Sequence, residues 1–539
     1  MAKLLTSLLL VAALSASVVT KRKAPYPRGT ARCLRVGRGT RMQSPDNPSL
    51  QPSLAAKAGR LSVYQLGQRL IDFGVTIVLA RLLAPADFGV VAAAIIFIQL
   101  AQLVVEIGIG ATIVQAPQLS DRDLRVANTL IWVNAVFYFV LTQLLASWAA
   151  IIMGSADVEY AVRVLAFTFL AQAIGIVSEN LLIRKLEAVR VARLQLIVRL
   201  VFVGMPGVAL AASGWSYWAL VISTLAGALA RAVWTFLIVR PPVKPLFDHS
   251  SAKRLLRKGA GFSASRVINF VAIRGDNALV GHLFSPTVLG IYSRAYNLMN
   301  LPADLYGTIA ERLIFPALAK VQDNPERLRT LYLRGIETTA LVGLPLSVIL
   351  FIFGPEWIRV VLGPKWVQAI QPFQILVIAT YFRLGMKISG SVQRAKGSVR
   401  AMVGTQVVYA TLVVGGCILA YPYGLLPLCA AVSLGVVLAY AVITWSGLIV
   451  TGTSLRDYVR SHRAGMLLAL CTAAIGLPIA LGGRHLALPS IVILATFLVA
   501  AALLGAVLIK LRPQSLLGQS GVDMAAQIEK VLRKWSGRV

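Results

Sequence analysis

Arginine and carboxylate side chains recur inside apolar stretches of this chain, where each costs on the order of 2.5–3.5 kcal/mol at the centre of a membrane helix. Arg69 and Asp72 stand three apart in one stretch and share a helix face, with Gln68 just before them. A second stretch carries Arg266, Asn269, Arg274 and Asp276. The i, i+4, i+8 spacing of Arg266, Phe270 and Arg274 points both guanidinium groups the same way. Gln99, Gln102 and Glu106 make a third polar stripe, and Asn297, Asn300, Asp304 and Glu311 a fourth. A guanidinium forms forked hydrogen bonds to phosphate oxygens. A cavity lined by Arg69, Arg266 and Arg274 therefore suits an anionic, phosphate-bearing group, with Asn269 and Gln68 placed for the hydroxyls of an attached sugar. Asp72, Glu106, Asp276 and Asp304 are the acids that could carry a coupling proton or sodium ion. Plainer accounts stand beside this one. Arg69 and Asp72 could neutralise each other, and Arg199, Arg231, Arg383 and Lys387 fit helix ends, where long side chains reach to the interface.

The composition fixes the medium. Of 539 residues 57% are hydrophobic and 14% charged, against about 25% charged in a soluble domain. Mean hydropathy is +0.75. The chain is expected to be an all-α integral membrane protein. The net charge of +32 would suggest nucleic acid in a soluble chain. Here the basic residues sit mostly in short loops between apolar stretches, so they read as determinants of orientation, with no nucleic-acid partner. No phosphate loop, metal spacing or nucleophile elbow is present, and the four histidines are scattered; neither a catalytic group nor a metal or cofactor is expected. Cys417, Cys429 and Cys471 lie in apolar segments and Cys33 in the N-terminal extension, without pairing or metal spacing, and read as buried structural thiols.

About 20 apolar residues cross a bilayer core. On that basis fourteen spans are expected, near 61–82, 88–110, 126–152, 161–183, 194–212, 216–239, 260–284, 287–311, 335–354, 367–390, 401–420, 424–450, 464–482 and 486–510. With the start of the membrane core in the cytoplasm, every even-numbered loop is basic. Arg184, Lys185, Arg190 and Arg193 follow span four, and Arg240, Lys244, Lys253, Arg254, Arg257 and Lys258 follow span six. The odd loops hold only Arg359, Lys365 and Arg484, with Arg81 and Arg163 near outer helix ends. Such a bias places both ends of the core inside.

The organisation that results is an extension at 1–56, a lobe of six spans at 57–240, a cytoplasmic linker at 241–258, a second six-span lobe at 259–450, two added spans at 451–510 and a cytoplasmic tail at 511–539 with an amphipathic stretch at 522–535. The extension is signal-like over Leu4–Val19 and then rich in Arg, Pro, Gly and Ser. It reads as a mis-set start, with Met42 the alternative, in preference to a true signal. The prolines of 240–245 break any helix, and Leu246–Lys258 fits a short surface helix. A shift of 201 positions lays Pro85 on Pro286, Gly89 on Gly290, Leu82 on Leu283 and Gln68 on Asn269. Six spans intervene, so the shift preserves membrane direction. The lobes are then parallel repeats about an axis along the membrane normal, a common transporter plan.

The run Ala80-Arg81-Leu82-Leu83-Ala84-Pro85-Ala86-Asp87-Phe88-Gly89, followed by Glu106-Ile107-Gly108-Ile109-Gly110, resembles the opening of bacterial polysaccharide flippases. These belong to the multidrug/oligosaccharidyl-lipid/polysaccharide exporter superfamily, and the likeness is greatest to the subgroup that includes the colanic-acid exporter. It covers about residues 57–510; the first 56 residues depart from it. The resemblance implies two six-helix lobes in a V, an inner cationic cavity and alternating access. The implied substrate is an undecaprenyl-pyrophosphate-linked oligosaccharide for surface lipopolysaccharide or exopolysaccharide, moved across the inner membrane. Besides lipid, a polysaccharide polymerase and export proteins are candidate partners. A drug/cation antiporter of the same superfamily is the alternative, and it would be expected to show acids and aromatics without several arginines.

Overall fold

The computed structural model describes residues 51–511 other than 106–108, 116–118, 186, 250–269 and 310–313. The extension before 51, the tail after 511, most of the 241–258 linker, and Glu106, Arg266 and Asn269 lie outside the described residues. All regular structure among the described residues is helical, the arrangement that satisfies every backbone polar group within its own segment in lipid.

The first half comprises α1 (Gln51–Leu82), α2 (Pro85–Val105), α3 (Ile109–Gln115), α4 (Asp121–Met153), α5 (Ala156–Leu165), α6 (Phe167–Arg184), α7 (Ala188–Val198), a π-helical turn Arg199–Gly204 continuing into α8 (Met205–Ala212), and α9 (Trp218–Ile238). The second comprises α10 (270–283), α11 (Pro286–Ile309), α12 (Phe315–Lys320), α13 (Pro325–Ile352), α14 (Gly354–Val361), a 3-10 turn Pro364–Ala369, α15 (Ile370–Val377), α16 (Thr380–Ala395), α17 (Val399–Ala420) and α18 (Leu425–Thr451). Then follow α19 (Leu455–Ser461), α20 (Arg463–His485) and α21 (Ser490–Leu511). Local chemistry sets the ends. Ser120 and Asp123 form a capping box on α4, and Gly154 closes that helix in the left-handed region at φ 63°. Pro85 and Pro286 stand first in α2 and α11, where proline is pre-organised and its missing N–H costs nothing.

Large apolar side chains such as Ile151, Leu419 and Leu498 lie on the outside, 66–77% exposed. On a soluble protein such patches would aggregate; in lipid they are the ordinary surface. Ten described helices are long and apolar enough to cross a membrane, or eleven if the pair Pro364–Val377 and Thr380–Ala395, bent by 43°, is one span. The expected fourteen exceeds this by the segments at α1, α10 and α11. α1 and α11 carry charge in their interiors, Arg69 with Asp72 and Arg294 with Asp304, and α10 is described only from residue 270. The linker begins as extended chain through 240–248, as its prolines require, and is tied to α4 by Arg125 Nε donating to the Lys244 carbonyl at 2.9 Å and by Arg122 with Asp248 at 3.2 Å. The expected surface helix at 246–258 does not begin at its first three residues; His249 is helical, and 250–258 lie outside the described residues.

The repeat positions meet each other. At Gly89 a Cβ would stand 1.7 Å from the Pro286 carbonyl oxygen, and at Gly290 one would stand 1.9 Å from that of Pro85. Such reciprocity is what a two-fold relation produces: if i touches j, then its equivalent touches the equivalent of j. Around this seam side chains of the second half donate to carbonyls of the first: Trp366 Nε1 to Ala80 at 2.8 Å and Lys365 Nζ to Leu82 at 3.0 Å. Arg81 returns the bond to Val360 at 2.6 Å, and the His282 ring lies 2.8 Å from the Ile152 carbonyl. Phe88 meets Trp366 edge-on at 5.3 Å.

Gly89→Ala and Gly290→Ala should each cost about 1–3 kcal/mol by overpacking, visible as a lower melting temperature of the detergent-solubilised protein. Gly74→Ala, where a Cβ meets nothing within 4 Å, should melt at or above wild type. Equal melting of all three would contradict the close approach.

Candidate functional site

Charged side chains from α1, α6, α7, the π turn and α9 face one another in the first half. Asp72 does not pair with Arg69 on its own helix; Arg199 Nε reaches its Oδ1 at 3.3 Å. Arg199 opens the π-helical turn, the kind of local widening often found at functional positions. Gln68 donates to the Ala192 carbonyl at 3.0 Å and contacts Gln195 Oε1 at 3.4 Å. Gln195 donates to Glu179 at 3.2 Å, and Arg231 closes the series on Glu179 at 3.8 Å. Gln68 thus fastens α1 to α7. Arg69 leans across to the other half, 3.9 Å from Asp304 Oδ2, with both side chains about half exposed (51% and 49%). Half-exposed ion pairs at mid-helix are incompatible with a lipid-facing position and place these residues on an interior, water-accessible surface.

The second half is built differently. Asp276 on α10 is buried, and neutral donors saturate it: the Tyr292 hydroxyl at 2.8 Å and Asn277 through its backbone at 2.7 Å and its side chain at 3.0 Å. Two residues earlier Arg274 is half-buried and close enough to Arg294 of α11 for their charges to repel. Arg294 lies 4.6 Å over the Phe88 ring of the first half, directly behind the seam, and its Nε is buried with no hydrogen-bond partner. Arg383 of α16 stacks on Tyr296 at 4.9 Å and donates to its hydroxyl at 3.2 Å, while its Nε and Nη2 are buried and unpartnered. Among the described residues, Arg199 and Arg231 of the first half each have a carboxylate partner. In the second half Asp304 serves Arg69 across the interface, while Arg294 and Arg383 have no ion pair among the described residues. Buried N–H groups without acceptors are costly, and Arg294 and Arg383 carry them.

Of the residues read from the sequence, Gln68, Arg69, Asp72, Arg274, Asp276 and Asp304 are described, and of these the structure brings Arg69 and Asp304 together; Arg266, Asn269 and Glu106 are outside the described residues. Sequence reasoning passed over Arg294 and assigned Arg383 to a helix end. A signal for Arg294 was present: its partner in the 201-residue repeat is Ala93, so a charge replaces a methyl in an otherwise matching segment.

Residues 78–371 match the family described as polysaccharide biosynthesis protein, which is more than half of the chain. The chain belongs to that family. Similar members include the teichuronic acid biosynthesis protein TuaB of Bacillus subtilis (strain 168), 27% identical over 302 residues, 55% of this chain and 62% of the relative. The lipopolysaccharide biosynthesis protein WzxC of Escherichia coli (strain K12) is 26% identical over 333 residues, 60% of this chain and 66% of that protein. The chain thus spans a little under two thirds of the length of these relatives. In fold, it is similar to the lipid II flippase MurJ in an inward closed conformation, with a TM-score of 0.66 at 12% identity, covering 83% of this chain and 99% of that one. An inward-facing multidrug resistance MATE family transporter aligns over 72% and 95% of the two chains with a TM-score of 0.50 at 17% identity. This family member is a multi-pass membrane protein with the exporter-superfamily fold.

Arg294→Met keeps the stem against Phe88 and removes the unpartnered Nε. It should leave the melting temperature unchanged or raise it, since a buried charge without a partner is a net cost; a clear drop would show that the guanidinium is a structural element. Removing Arg69, Asp304 or both should reveal a coupling of about 1 kcal/mol or less in a double-mutant cycle, because the pair is half exposed.

Proposed function

We propose that the chain is a flippase that carries undecaprenyl-pyrophosphate-linked oligosaccharide units across the inner membrane, by alternating access, for surface polysaccharide assembly. The observation that carries this reading is that Arg294 and Arg383 are buried behind the seam with donor nitrogens lacking acceptors, Arg274 standing close to Arg294, in a chain of this family. The pyrophosphate is proposed to be held by Arg294 and Arg383 with Arg274 and Arg69, the sequence adding Arg266 and Asn269 as candidate contacts. Gln68 fastens α1 to α7 instead of meeting the glycan, and the polyprenyl tail stays in lipid. The lobes at 57–240 and 259–450 rock, and the Gly89–Gly290 contact is the gate that parts when the cavity opens at that end. Loop charge supports placing that gate at the outer surface, with both ends of the core in the cytoplasm. Asp72, Glu106, Asp276 and Asp304 remain the candidate coupling acids. Among them Asp304 is placed to respond to a cation or proton, since its loss of charge would release Arg69. Polymerase and export proteins are proposed partners, and transport without a catalytic step is the proposed activity. A cation antiporter has the fold likeness in its favour, but the excess charge in the interior is positive, which disfavours cationic cargo.

Arg274→Ala and Arg294→Ala should lower surface polysaccharide export roughly tenfold or more, the factor that ~1.4 kcal/mol of a lost charge-assisted hydrogen bond represents. Lipid-linked units should accumulate at the inner face while the protein stays in the membrane at its normal level. Lys should restore part of the activity, having a point charge in place of a fork. Normal export by the double Ala variant would remove the proposal. Single cysteines at Ser155 and Ser213 should react with an impermeant reagent in intact cells and one at Ser398 should not; the reverse pattern would invert the topology.

A further inference from the structure

The seam end of the bundle is poor in basic residues, and most of those present are engaged. Arg81 and Lys365 hold backbone carbonyls across the seam. Arg163 is paired with Glu159 at 2.7 Å. Arg484 grips both oxygens of Glu356 at 2.8 Å and also donates to the Ile352 carbonyl at 2.6 Å. Arg359 is the exception: among the described residues it is exposed and has no hydrogen bond, ion pair or ring partner. It borders a cavity of about 500 Å³ between α14, α20 and α21. Arg359, Arg484 and Ser490 form its polar side, and Pro355, Leu488 and Ile493 its apolar side.

The charge of this cavity is decided by Glu356. Its side chain is fully buried and both oxygens are bonded to Arg484, so its single negative charge is matched by that arginine. The lining therefore carries one uncompensated positive charge. Ser490 is the first residue of the 22-residue α21, so the positive end of that helix borders the same space. Beside the cavity Leu486 and Ile491 project outward, 69% and 65% exposed, as side chains in contact with acyl chains do. One anionic group beside an apolar wall at the lipid boundary is the chemistry of a phospholipid headgroup.

We propose that this cavity binds an anionic phospholipid of the leaflet at the seam end. Its phosphate is forked by Arg359 above the Arg484–Glu356 pair, and its glycerol and upper acyl chain lie against Leu488 and Ile493. The lipid adds to the bridge that Arg484 and Glu356 already make between α14 and α20. The site is separate from the central arginine cluster and stands whether or not that cluster carries a pyrophosphate.

The test uses the purified full-length protein in neutral detergent, with short-chain phosphatidylglycerol, phosphatidylcholine and sodium phosphate as probes, read by native mass spectrometry and by melting temperature. Phosphatidylglycerol should give a retained adduct and raise the melting temperature of the wild type; phosphatidylcholine should do so weakly and sodium phosphate not at all. Arg359→Gln should melt like wild type without lipid, since Arg359 has no protein partner, yet bind phosphatidylglycerol roughly tenfold or more weakly, with Arg359→Lys in between. Equal phosphatidylglycerol binding by wild type and Arg359→Gln would overturn the assignment. So would a sodium phosphate shift that matches the lipid's, which would make this a free-anion site.

Discussion

The carbonyl oxygen of Pro286 occupies the place where a side chain on residue 89 would begin, and the carbonyl of Pro85 does the same at residue 290. Everything that distinguishes the two ends of the molecule follows from this backbone approach. It lets α2 and α11 lie against each other where they start, brings Trp366 and Lys365 within reach of the last carbonyls of α1, and sets Phe88 beneath the Arg294 guanidinium. Away from that end the described residues include a long, half-exposed ion pair between the halves, Arg69 with Asp304, which contributes little. A joint that is tight at one end and soft towards the other is the arrangement that rocking requires.

Charge divides the interior unequally. In the first half each arginine that reaches inward finds a carboxylate: Arg199 finds Asp72 and Arg231 finds Glu179. In the second, Asp276 takes its hydrogen bonds from Tyr292 and Asn277, Arg383 lies near it without an ion pair, and Arg274 and Arg294 stand close to each other. Packing alone would favour a Met or Leu at position 294. A guanidinium kept there at a cost to stability is how a binding surface differs from a structural one, and the repeat makes the difference visible, since Ala93 holds the equivalent place.

Much of the architecture was legible in the sequence because it is written in one-dimensional signals. Apolar runs gave the helices, the prolines of 240–245 gave the extended start of the linker, and the coincidence of Pro85 with Pro286 and Gly89 with Gly290 pointed to the segments that touch. Rotation and tilt were less legible. Spacing on a helix says that Arg69 and Asp72 share a face, but the choice between pairing with each other and pairing with Asp304 and Arg199 depends on which helices stand opposite. Gln68 was matched with Asn269 by position, yet its amide is turned to α7. Arg383 was read as a helix-end residue because depth was counted along the chain; the 43° bend between α15 and α16 alters that depth, and its guanidinium stacks on Tyr296 instead.

The polarity of α1, α10 and α11 also bears on how the protein is made. A helix entering the bilayer sideways from the translocon is judged residue by residue, and a charge near its centre offsets several leucines. Arg69 with Asp72, Arg274 with Asp276, and Arg294 with Asp304 leave these three segments poor candidates for independent partitioning. Their partners arrive later in synthesis: Arg199 for Asp72, Asp304 for Arg69, Tyr292 for Asp276. Insertion of the first helix is therefore completed by residues more than a hundred positions downstream, and biogenesis of the membrane domain is cooperative over most of its length, with the earliest segments waiting at the protein–lipid boundary for the groups that neutralise them.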